Sequence, residues 1–387
     1  MDLDLSIEQK LLLDNARAFL NKECPMENVR ELMKSETGHA PALWGKMAEL
    51  GWLGMIIPEV YGGSDGDFID LAIHLEAMGE ICLPGPFFST AVLGATAILL
   101  AGSPEQKKAL LPRISKGDLI LSLAVAEPGG GYDASTVSTS AVKQGAQYIL
   151  NGTKLFVDNA HIADTIICVA KTNTTKEPGA GLTMFLVDRD NPGVHCESLD
   201  TLGYEKLCEV VFDKVRLGEK HILGEPGKAI DVLKTIEERA AVAKCAELVG
   251  CIRTAFDMAV SYAKQREQFG RPIGSFQAIQ HHCANMAMDV DSTRFLTYQA
   301  VYRIAKGLPA SREVAMAKAW ASEASGRVTR LAHQIHGAIA FCQEHDLHLY
   351  YRRAKAAAVA YGDSSYHYEK VANQLNFQLQ CSLLPRR

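Results

Sequence analysis

The chain has 387 residues, 48% of them apolar, which suits one large globular protein or two to three closely packed domains. Its formal charge of −5 provides no global positive field, so neither nucleic acid nor an anionic membrane is an expected partner. The 10 cysteines form no Cys-x-x-Cys pair, which favours free thiols in a reducing compartment. MDLDLSIEQK lacks a signal pattern and no apolar run approaches about 20 residues, so a cytoplasmic location is expected.

Helical patterns occupy the N-terminal part of the chain. Residues 6–22 begin at a serine cap and continue with helical apolar spacing, and residues 41–50 lead into a turn at LGWLGMIIPEVYGG. Two helices are predicted within 68–100, separated by Pro84-Gly85-Pro86, and another begins at Pro104. This part is therefore predicted to be a helical domain.

The apolar period then changes from about 3.6 to 2, which predicts strands. The candidates are 119–127, 146–158, 164–172, 182–189 and 208–217. Asn151-Gly152 within the second candidate predicts a hairpin turn. Five or more short strands at this spacing indicate a small barrel or sandwich.

The helical period returns at about residue 227 and persists. Its predicted helices cover 227–265, 276–306, 310–339 and 343–377. Their length favours a helical bundle. The fold class is therefore α+β, with a helical domain at 1–118, a β domain at 119–226 and a bundle at 227–387.

Two segments carry residues suited to a nucleotide-like ligand. AEPGGGYD, residues 126–133, follows a strand, and its glycines would let the backbone approach a flat or charged group; an ordinary turn is the alternative. In KQREQFGRPIGSFQAIQH, residues 264–281, Arg266, Arg271 and Phe269 would suit a pyrophosphate joined to adenine. A solvated helix end is the alternative for the second segment.

A third segment contains four histidines and invites a metal interpretation. They are His333, His336, His345 and His348. Their spacing resembles that of loose zinc ligands, but no acidic helper occupies the HExxH position. Close packing is the favoured explanation, and no metal site is predicted.

The whole chain, from about residue 5 to 377, resembles an acyl-CoA dehydrogenase. The matching pieces follow the order of that family: LGWLGMIIPEVYGG, AVAEPGGGYD, YILNGTKLFV, REQFGRPIGSFQAIQH, QIHGAIAF and RRAKAAAVAYGDSS. The resemblance implies a helical domain, a middle β domain and a C-terminal four-helix bundle. It also implies FAD as cofactor, an acyl-CoA substrate, an electron-transferring flavoprotein as acceptor, and a homotetramer or mixed tetramer.

The resemblance assigns roles to individual residues. Along the flavin ring it places Leu123, Val125, Ala126, Phe156 and Asp158. On the adenosine-diphosphate part of a neighbouring subunit's FAD it places Arg266, Gln268, Phe269, Gln334 and Gly337. Near the substrate it places Gly131, Tyr132, Arg239, Tyr361 and Gly362. Many relatives carry a threonine at the position of Asp158 that bonds flavin N5, so an aspartate there must be protonated, or turned away.

The chain departs from the family at the catalytic base. The usual base is the glutamate of a Tyr-Glu-Gly-Thr segment, whereas this chain places Tyr361 there, and a tyrosine with a pKa near 10 is a poor base at neutral pH. Glu238, with Glu237 beside it, precedes Arg239 at the head of a long helix, where one branch of the family carries its base. Asp363 lies two residues after the usual position. A base elsewhere, a partner chain that supplies it, or carboxylates that only cap helices remain as alternatives.

The same departure bears on the substrate. YGDSSYH and LPGPFF resemble segments of relatives that act on alicyclic, branched or steroid side-chain thioesters. We therefore predict α,β-dehydrogenation of a bulky acyl-CoA, in which a base removes the α-proton and flavin N5 accepts the β-hydride. The alternative is an FAD-binding, base-less subunit of a heteromeric acyl-CoA dehydrogenase.

Overall fold

The structure is a computed structural model that describes residues 5–172 and 179–375. Its N-terminal part contains six α-helices: α1 (Ile7–Glu23), α2 (Met26–Lys34), α3 (Pro41–Glu49), α4 (Phe68–Glu80), α5 (Ala95–Ala101) and α6 (Pro104–Ser115). Ser6 and Ser103 begin α1 and α6 with reciprocal capping bonds. A π-helical segment, Phe88–Gly94, leads into α5. The predicted helices are present, whereas the sequence analysis missed α2.

A single sheet forms the middle of the chain. Its strands are β1 (Leu121–Ala124), β2 (Ser140–Gln144), β3 (Gln147–Asp158), β4 (Thr165–Lys171), β5 (Leu182–Asp188), β6 (Val194–Ser198), β7 (Leu207–Gly218) and β8 (Ile222–Leu223). Their order is β6-β7-β3-β2-β4-β5-β8, and β1 pairs with β4 in parallel. The sequence predicted the five strands with clear alternation and missed the short β2, β6 and β8.

The predicted hairpin at Asn151-Gly152 is wrong, because both residues lie inside β3. The chain reverses between β2 and β3 instead, at Gly145, whose φ is 62°. The register of β3 against β7 shifts between Leu150 and Gly152, and the Asn151 side chain accepts a hydrogen bond from the Lys214 amide (2.8 Å). The Asn-Gly pair thus marks a β-bulge and not a turn.

Long helices follow the sheet. They are α7 (Ile230–Gln265), α8 (Gln277–Ala305), α9 (Ser311–His336), α10 (Leu347–Val359) and α11 (Ser364–Gln374), with a small hairpin of β9 (Glu267–Gln268) and β10 (Arg271–Pro272) after α7. The prediction of one helix over 343–377 is wrong within the described part of that range. Tyr361 and Gly362 have φ of 56° and 99°, which end α10 before α11 begins.

The helical parts share one hydrophobic core, and the sheet encloses a second. The backbones of α4 and α7 approach each other closely at Gly250, where any side chain would collide with the Glu76 carbonyl. Predictions of an α+β class and of a helical, β and helical order are confirmed. Within residues 5–172 and 179–375, no helix is both long and apolar enough to span a membrane.

Candidate active site

The ends of β1 and β3 bring the predicted flavin-ring residues side by side. The Leu155 amide donates to the Ala126 carbonyl (2.9 Å), and the Lys154 ammonium donates to the Val125 carbonyl (3.0 Å). Elsewhere on the same two strands, the Ser122 hydroxyl of β1 donates to the Asp158 carbonyl of β3 (2.6 Å). The segments 123–126 and 156–158 therefore form one surface, although about 30 residues separate them in the sequence.

A buried ion pair fixes the beginning of the glycine-rich loop. The Lys154 side chain is fully buried and lies 2.7 Å from Glu127, whose own side chain is 6% exposed. Glu127 also accepts bonds from the amides of Ser138 (2.7 Å) and Thr139 (2.9 Å). Burial alone would raise the pKa of Glu127, but Lys154 and these donors lower it to about 2. The sequence analysis missed this pair, since neither residue stands in a recognisable charge pattern.

Phe156 and Asp158 differ in what they offer to a ligand. Phe156 has a φ of 56°, and 62% of its surface is exposed, so its flat ring is available for contact. Asp158 accepts a bond from the Asn159 amide group (2.7 Å). Burial raises the pKa of Asp158 to about 7; Lys244 opposes this shift and Glu205 adds to it. Near neutral pH a large fraction of Asp158 is therefore protonated and can donate a hydrogen bond.

Tyr361 and Gly362 form a fixed turn between α10 and α11. The buried Lys318 donates to the Gly362 carbonyl (2.8 Å), and His367 Nε2 donates to the Tyr361 carbonyl (2.9 Å). The Tyr361 ring lies 5.6 Å from that of Phe88. Burial, and then Asp158, raise the pKa of Tyr361 well above 10. Tyr361 is therefore neutral at physiological pH.

Three candidate carboxylates differ in their partners. Glu238 accepts a hydrogen bond from Ser311 at the start of α9. Asp363 caps α11 by accepting from the Tyr366 amide (2.9 Å). Glu237 is half-buried, and desolvation raises its pKa to about 7 although Lys370 opposes the shift. The sequence named Glu237 only as the neighbour of Glu238; the helical phase that buries it could not be read from the sequence.

The remaining predicted substrate residues lie near these carboxylates. The Tyr132 ring is 5.3 Å from Tyr366, and the Lys370 ammonium is 4.4 Å from the centre of that second ring. Burial, and then Asp363, raise the pKa of Tyr132. A side chain at Gly131 would meet no neighbour within 4 Å, which leaves open space beside the loop. Burial lowers the pKa of Arg239, which follows Glu238 on α7.

The residues predicted to hold the adenosine-diphosphate part lie on two surfaces. Gln334 and Gly337 line a cavity of about 750 Å³, together with the basic residues Arg30, Arg330 and Arg352. The predicted contacts Arg266, Gln268 and Phe269 lie instead on the hairpin after α7, where Phe269 is 92% exposed. One chain therefore does not gather the two sets around a single cavity.

The histidines His333 and His348 also line this cavity. His336 stacks on Tyr262, with ring centres 4.5 Å apart, and its Nδ1 donates to the Ala332 carbonyl. In the part of the chain that the structure describes, no three His, Cys, Asp or Glu side chains are arranged to hold a metal ion. Packing and backbone hydrogen bonds account for the contacts of His336.

Models of three domains match the chain in succession. They are the acyl-CoA dehydrogenase N-terminal domain over residues 6–118, the middle domain over 122–215 and the C-terminal domain over 232–376. The chain belongs to the acyl-CoA dehydrogenase family, and it is an oxidoreductase.

Individual relatives extend over nearly the whole chain. A probable acyl-CoA dehydrogenase of Bacillus subtilis, YngJ, is 33% identical over 97% of this chain and 100% of its own length. The caffeyl-CoA reductase-Etf complex subunit CarC of Acetobacterium woodii is 32% identical over 93% of this chain and 96% of its own.

Solved structures match equally well. Butyryl-CoA dehydrogenase from Megasphaera elsdenii has a TM-score of 0.89 at 28% identity and covers 97% of this chain and 100% of its own. The ChsE4-ChsE5 complex from Mycobacterium tuberculosis has a TM-score of 0.88 at 28% identity and covers 100% of both. The FAD complex of PigA has a TM-score of 0.90 at 26% identity and covers 97% of this chain and 99% of its own.

FAD is the cofactor of this family, and the residues present suit it. Phe156 offers an exposed flat ring, and Asp158 offers a carboxyl that is largely protonated near neutral pH. Arg30, Arg330 and Arg352 bring guanidinium groups to the larger cavity, and such groups bind phosphates in a bidentate manner. Bound FAD would supply the hydride acceptor, and the chain supplies the surrounding walls and proton carriers.

Proposed function

We propose that this chain removes a proton and a hydride from the α- and β-carbons of a bulky, alicyclic or branched acyl-CoA. The observation that carries the proposal is the cleft at the ends of β1 and β3, where Phe156 is exposed and the buried Asp158 lies close enough to Tyr361 to raise its pKa. Asp158 and Glu237 both have pKa values of about 7, so one can serve as an acid and the other as a base at neutral pH.

Glu237 is the proposed base. A carboxylate with a pKa near the working pH is both ionised in part and basic enough to accept an α-proton. Its half-buried position strengthens this basicity, because desolvation disfavours the charged form. Glu238 and Asp363 stay candidate bases, although their carboxylates already accept bonds from Ser311 and from the Tyr366 amide.

The other residues of the cleft hold and orient the reactants. Protonated Asp158 would donate a hydrogen bond toward the flavin, and Phe156 would contact its ring. Neutral Tyr361 and Phe88 would exclude water from the reacting carbons, which strengthens every polar contact there. Tyr132 and the open backbone at Gly131 would contact the thioester, with Arg239 nearby.

Three matched variants test the base. Glu237→Gln, Glu238→Gln and Asp363→Asn each replace a carboxylate by its amide with little change in shape. Each purified, FAD-loaded protein is mixed with acyl-CoA without oxygen, and loss of the yellow flavin colour is followed. We expect only Glu237→Gln to bind the thioester and leave the flavin oxidised. Normal bleaching by this variant would reject Glu237 as the base.

The acyl group needs a separate comparison. A cyclohexane-type thioester and octanoyl-CoA are offered to the same wild-type protein, and the rates of flavin bleaching are compared at equal concentration. We expect the cyclic thioester to react faster. A clear preference for octanoyl-CoA would rule out a bulky or alicyclic substrate while leaving the dehydrogenation itself intact.

A second function is supported by Tyr361 at the position of the family's usual base. The chain could be an FAD-binding subunit that lacks its own base within a mixed tetramer, and its full-length similarity to a chain of the ChsE4-ChsE5 complex favours this. The discriminating measurement uses the chain purified alone. The second function would be established if the purified chain is yellow, no acyl-CoA reduces its flavin, and reduction occurs once a partner chain is added.

The electron acceptor and assembly follow the same reasoning. The similarity to CarC, named as part of an Etf complex, supports an electron-transferring flavoprotein as acceptor. The exposed Phe269 hairpin supports a tetramer, homomeric or mixed, in which a neighbouring chain's FAD meets Arg266 and Gln268. The domain limits 1–118, 119–226 and 227–387 and a cytoplasmic location complete the proposal.

A further inference from the structure

A small cavity next to Asp158 is surrounded by charged side chains that the proposed reaction does not use. Its volume is about 50 Å³, and its walls include Asn159, Glu205, Lys244, Glu247 and Arg353. Such a group of charges is unusual beside a cleft meant for hydrocarbon, because burying charge costs free energy unless partners compensate it. Their arrangement therefore calls for a ligand or a structural reason.

The charges balance one another. The Lys244 ammonium lies 2.7 Å from Glu247, and the Arg353 guanidinium lies 3.3 Å from Glu247 and 3.7 Å from Glu205. Lys244 also lies 3.9 Å from the centre of the Phe88 ring. With Lys206 and Asp158 included, the walls hold three cations and three carboxyl groups, so their charges nearly cancel and attract no ionic ligand strongly. A neutral polar ligand is favoured over a carboxylate, which the two glutamates would repel.

Three buried polar atoms of these walls have no hydrogen-bond partner. They are Arg353 Nε, Glu205 Oε2 and Asn159 Oδ1. The other nitrogens of Arg353 have partners, since Nη2 donates to the Cys82 carbonyl (3.0 Å) and Nη1 faces Glu247 and Glu205. A buried polar atom without a partner is costly. The walls thus offer one donor and two acceptors that protein groups leave unused.

Among substrate groups, a hydroxyl can serve both an unused donor and an unused acceptor of this set. Its oxygen can accept from Arg353 Nε, and its hydrogen can be donated to Glu205 or Asn159. A carbonyl or a carboxylate only accepts, and would leave both acceptors without a partner. The volume of about 50 Å³ is several times the roughly 10–15 Å³ that one water needs on the same measure, so a hydroxyl and its carbon fit.

The cavity adjoins the position of the reaction. Asp158 belongs both to its wall and to the flavin-ring set, and Phe88 joins Lys244 to Tyr361 through ring contacts of 3.9 Å and 5.6 Å. An acyl group held between Tyr361 and Asp158 would therefore point its far end toward Glu205 and Arg353.

We propose that the acyl group oxidised by this chain carries a hydroxyl beyond its β-carbon, and that Arg353, Glu205 and Asn159 bind it. The inference rests on the proposed dehydrogenation and adds a substrate class to it. The hydroxyl takes no part in the redox step: the proton and hydride still leave the α- and β-carbons, and the hydroxyl only orients the acyl group.

The test compares two thioesters with the FAD-loaded wild-type protein. One is cyclohexanecarboxyl-CoA, and the other carries a hydroxyl on the ring carbon opposite the carboxyl. The hydroxylated thioester should reduce the flavin with a kcat/KM at least about tenfold higher, because only its hydroxyl can form a hydrogen bond with the charged groups of Arg353 and Glu205. Equal values, or a preference for the unsubstituted ring, would overturn the proposal and leave a cavity that holds water. If neither thioester bleaches yellow protein, the proposed dehydrogenation itself fails.

A variant pair checks the residues. Glu205→Gln replaces the charged acceptor of the substrate hydroxyl by a neutral one and so weakens that hydrogen bond. The preference for the hydroxylated thioester should therefore fall at least about threefold. Glu197→Gln, an exposed change on β6, is the matched control and should leave the preference unchanged. An unaltered preference in Glu205→Gln, in a protein whose melting temperature matches wild type, would remove Glu205 from the site.

Discussion

The buried Lys154–Glu127 pair gives the sharpest prediction for stability. Glu127→Gln keeps the shape of the side chain but leaves the fully buried Lys154 ammonium without a counter-charge. The pKa of Glu127 falls from 4.5 to about 2, and about 2.5 units at 1.36 kcal/mol each give about 3 kcal/mol. Breaking a buried pair by removing one partner typically costs about 3–5 kcal/mol, which agrees. We expect a loss in that range at pH 7.

The sign of the pH dependence follows from the lowered pKa. The contribution of Glu127 is fully present above its ordinary value of 4.5 and is lost as the pH falls toward about 2. The difference in stability between wild type and Glu127→Gln should therefore shrink from pH 6 to pH 3. Urea unfolding of both proteins across this range measures it.

The control is an exposed ion pair of the same sheet. Lys143 and Glu219 lie 3.1 Å apart with side chains 52% and 68% exposed, so Glu219→Gln should cost less than about 1 kcal/mol. A double variant, Glu127→Gln with Lys154→Met, should recover part of the loss because no unpaired charge remains. A loss under about 1 kcal/mol in Glu127→Gln would refute the assigned role of the pair.

Three further predictions concern the cleft. Burial raises the pKa of Asp158 from 3.8 to about 7, so its ionisation opposes folding increasingly between pH 4 and 8. In urea unfolding, the stability of Asp158→Asn relative to wild type should therefore rise by up to about 4 kcal/mol across that range. Parallel stability curves of the two proteins would contradict this. The rate of flavin reduction should peak near pH 7, since Glu237 must be ionised and Asp158 protonated, and Asp158→Asn should remove the alkaline decline in stopped-flow traces. Gly362→Ala forces a side chain against His367 at a φ of 99° and should cost at least about 1–3 kcal/mol in thermal unfolding, whereas Gly131→Ala, which meets no neighbour, should stay near wild type.

Element type was predictable where apolar spacing is regular. The long helices α7, α8 and α9 and the strands β3, β4, β5 and β7 show clear periods, because each buries one face or one stripe against a core. Asn151-Gly152 misled, since the same pair that favours a tight turn also permits a bulge inside a strand. The break at Tyr361-Gly362 was missed because a single glycine is tolerated within a helical pattern.

The sequence by itself determined the family and the order of helical and β parts, because these reside in local motifs and their order. Only the tertiary structure decided the surroundings of each carboxylate: successive helical residues point about 100° apart, so desolvation raises the pKa of Glu237, whereas Glu238 accepts a bond from Ser311. It likewise decided that Lys244, Glu247, Arg353 and Glu205 meet around one cavity, since charges distant in sequence acquire partners only when helices and strands pack.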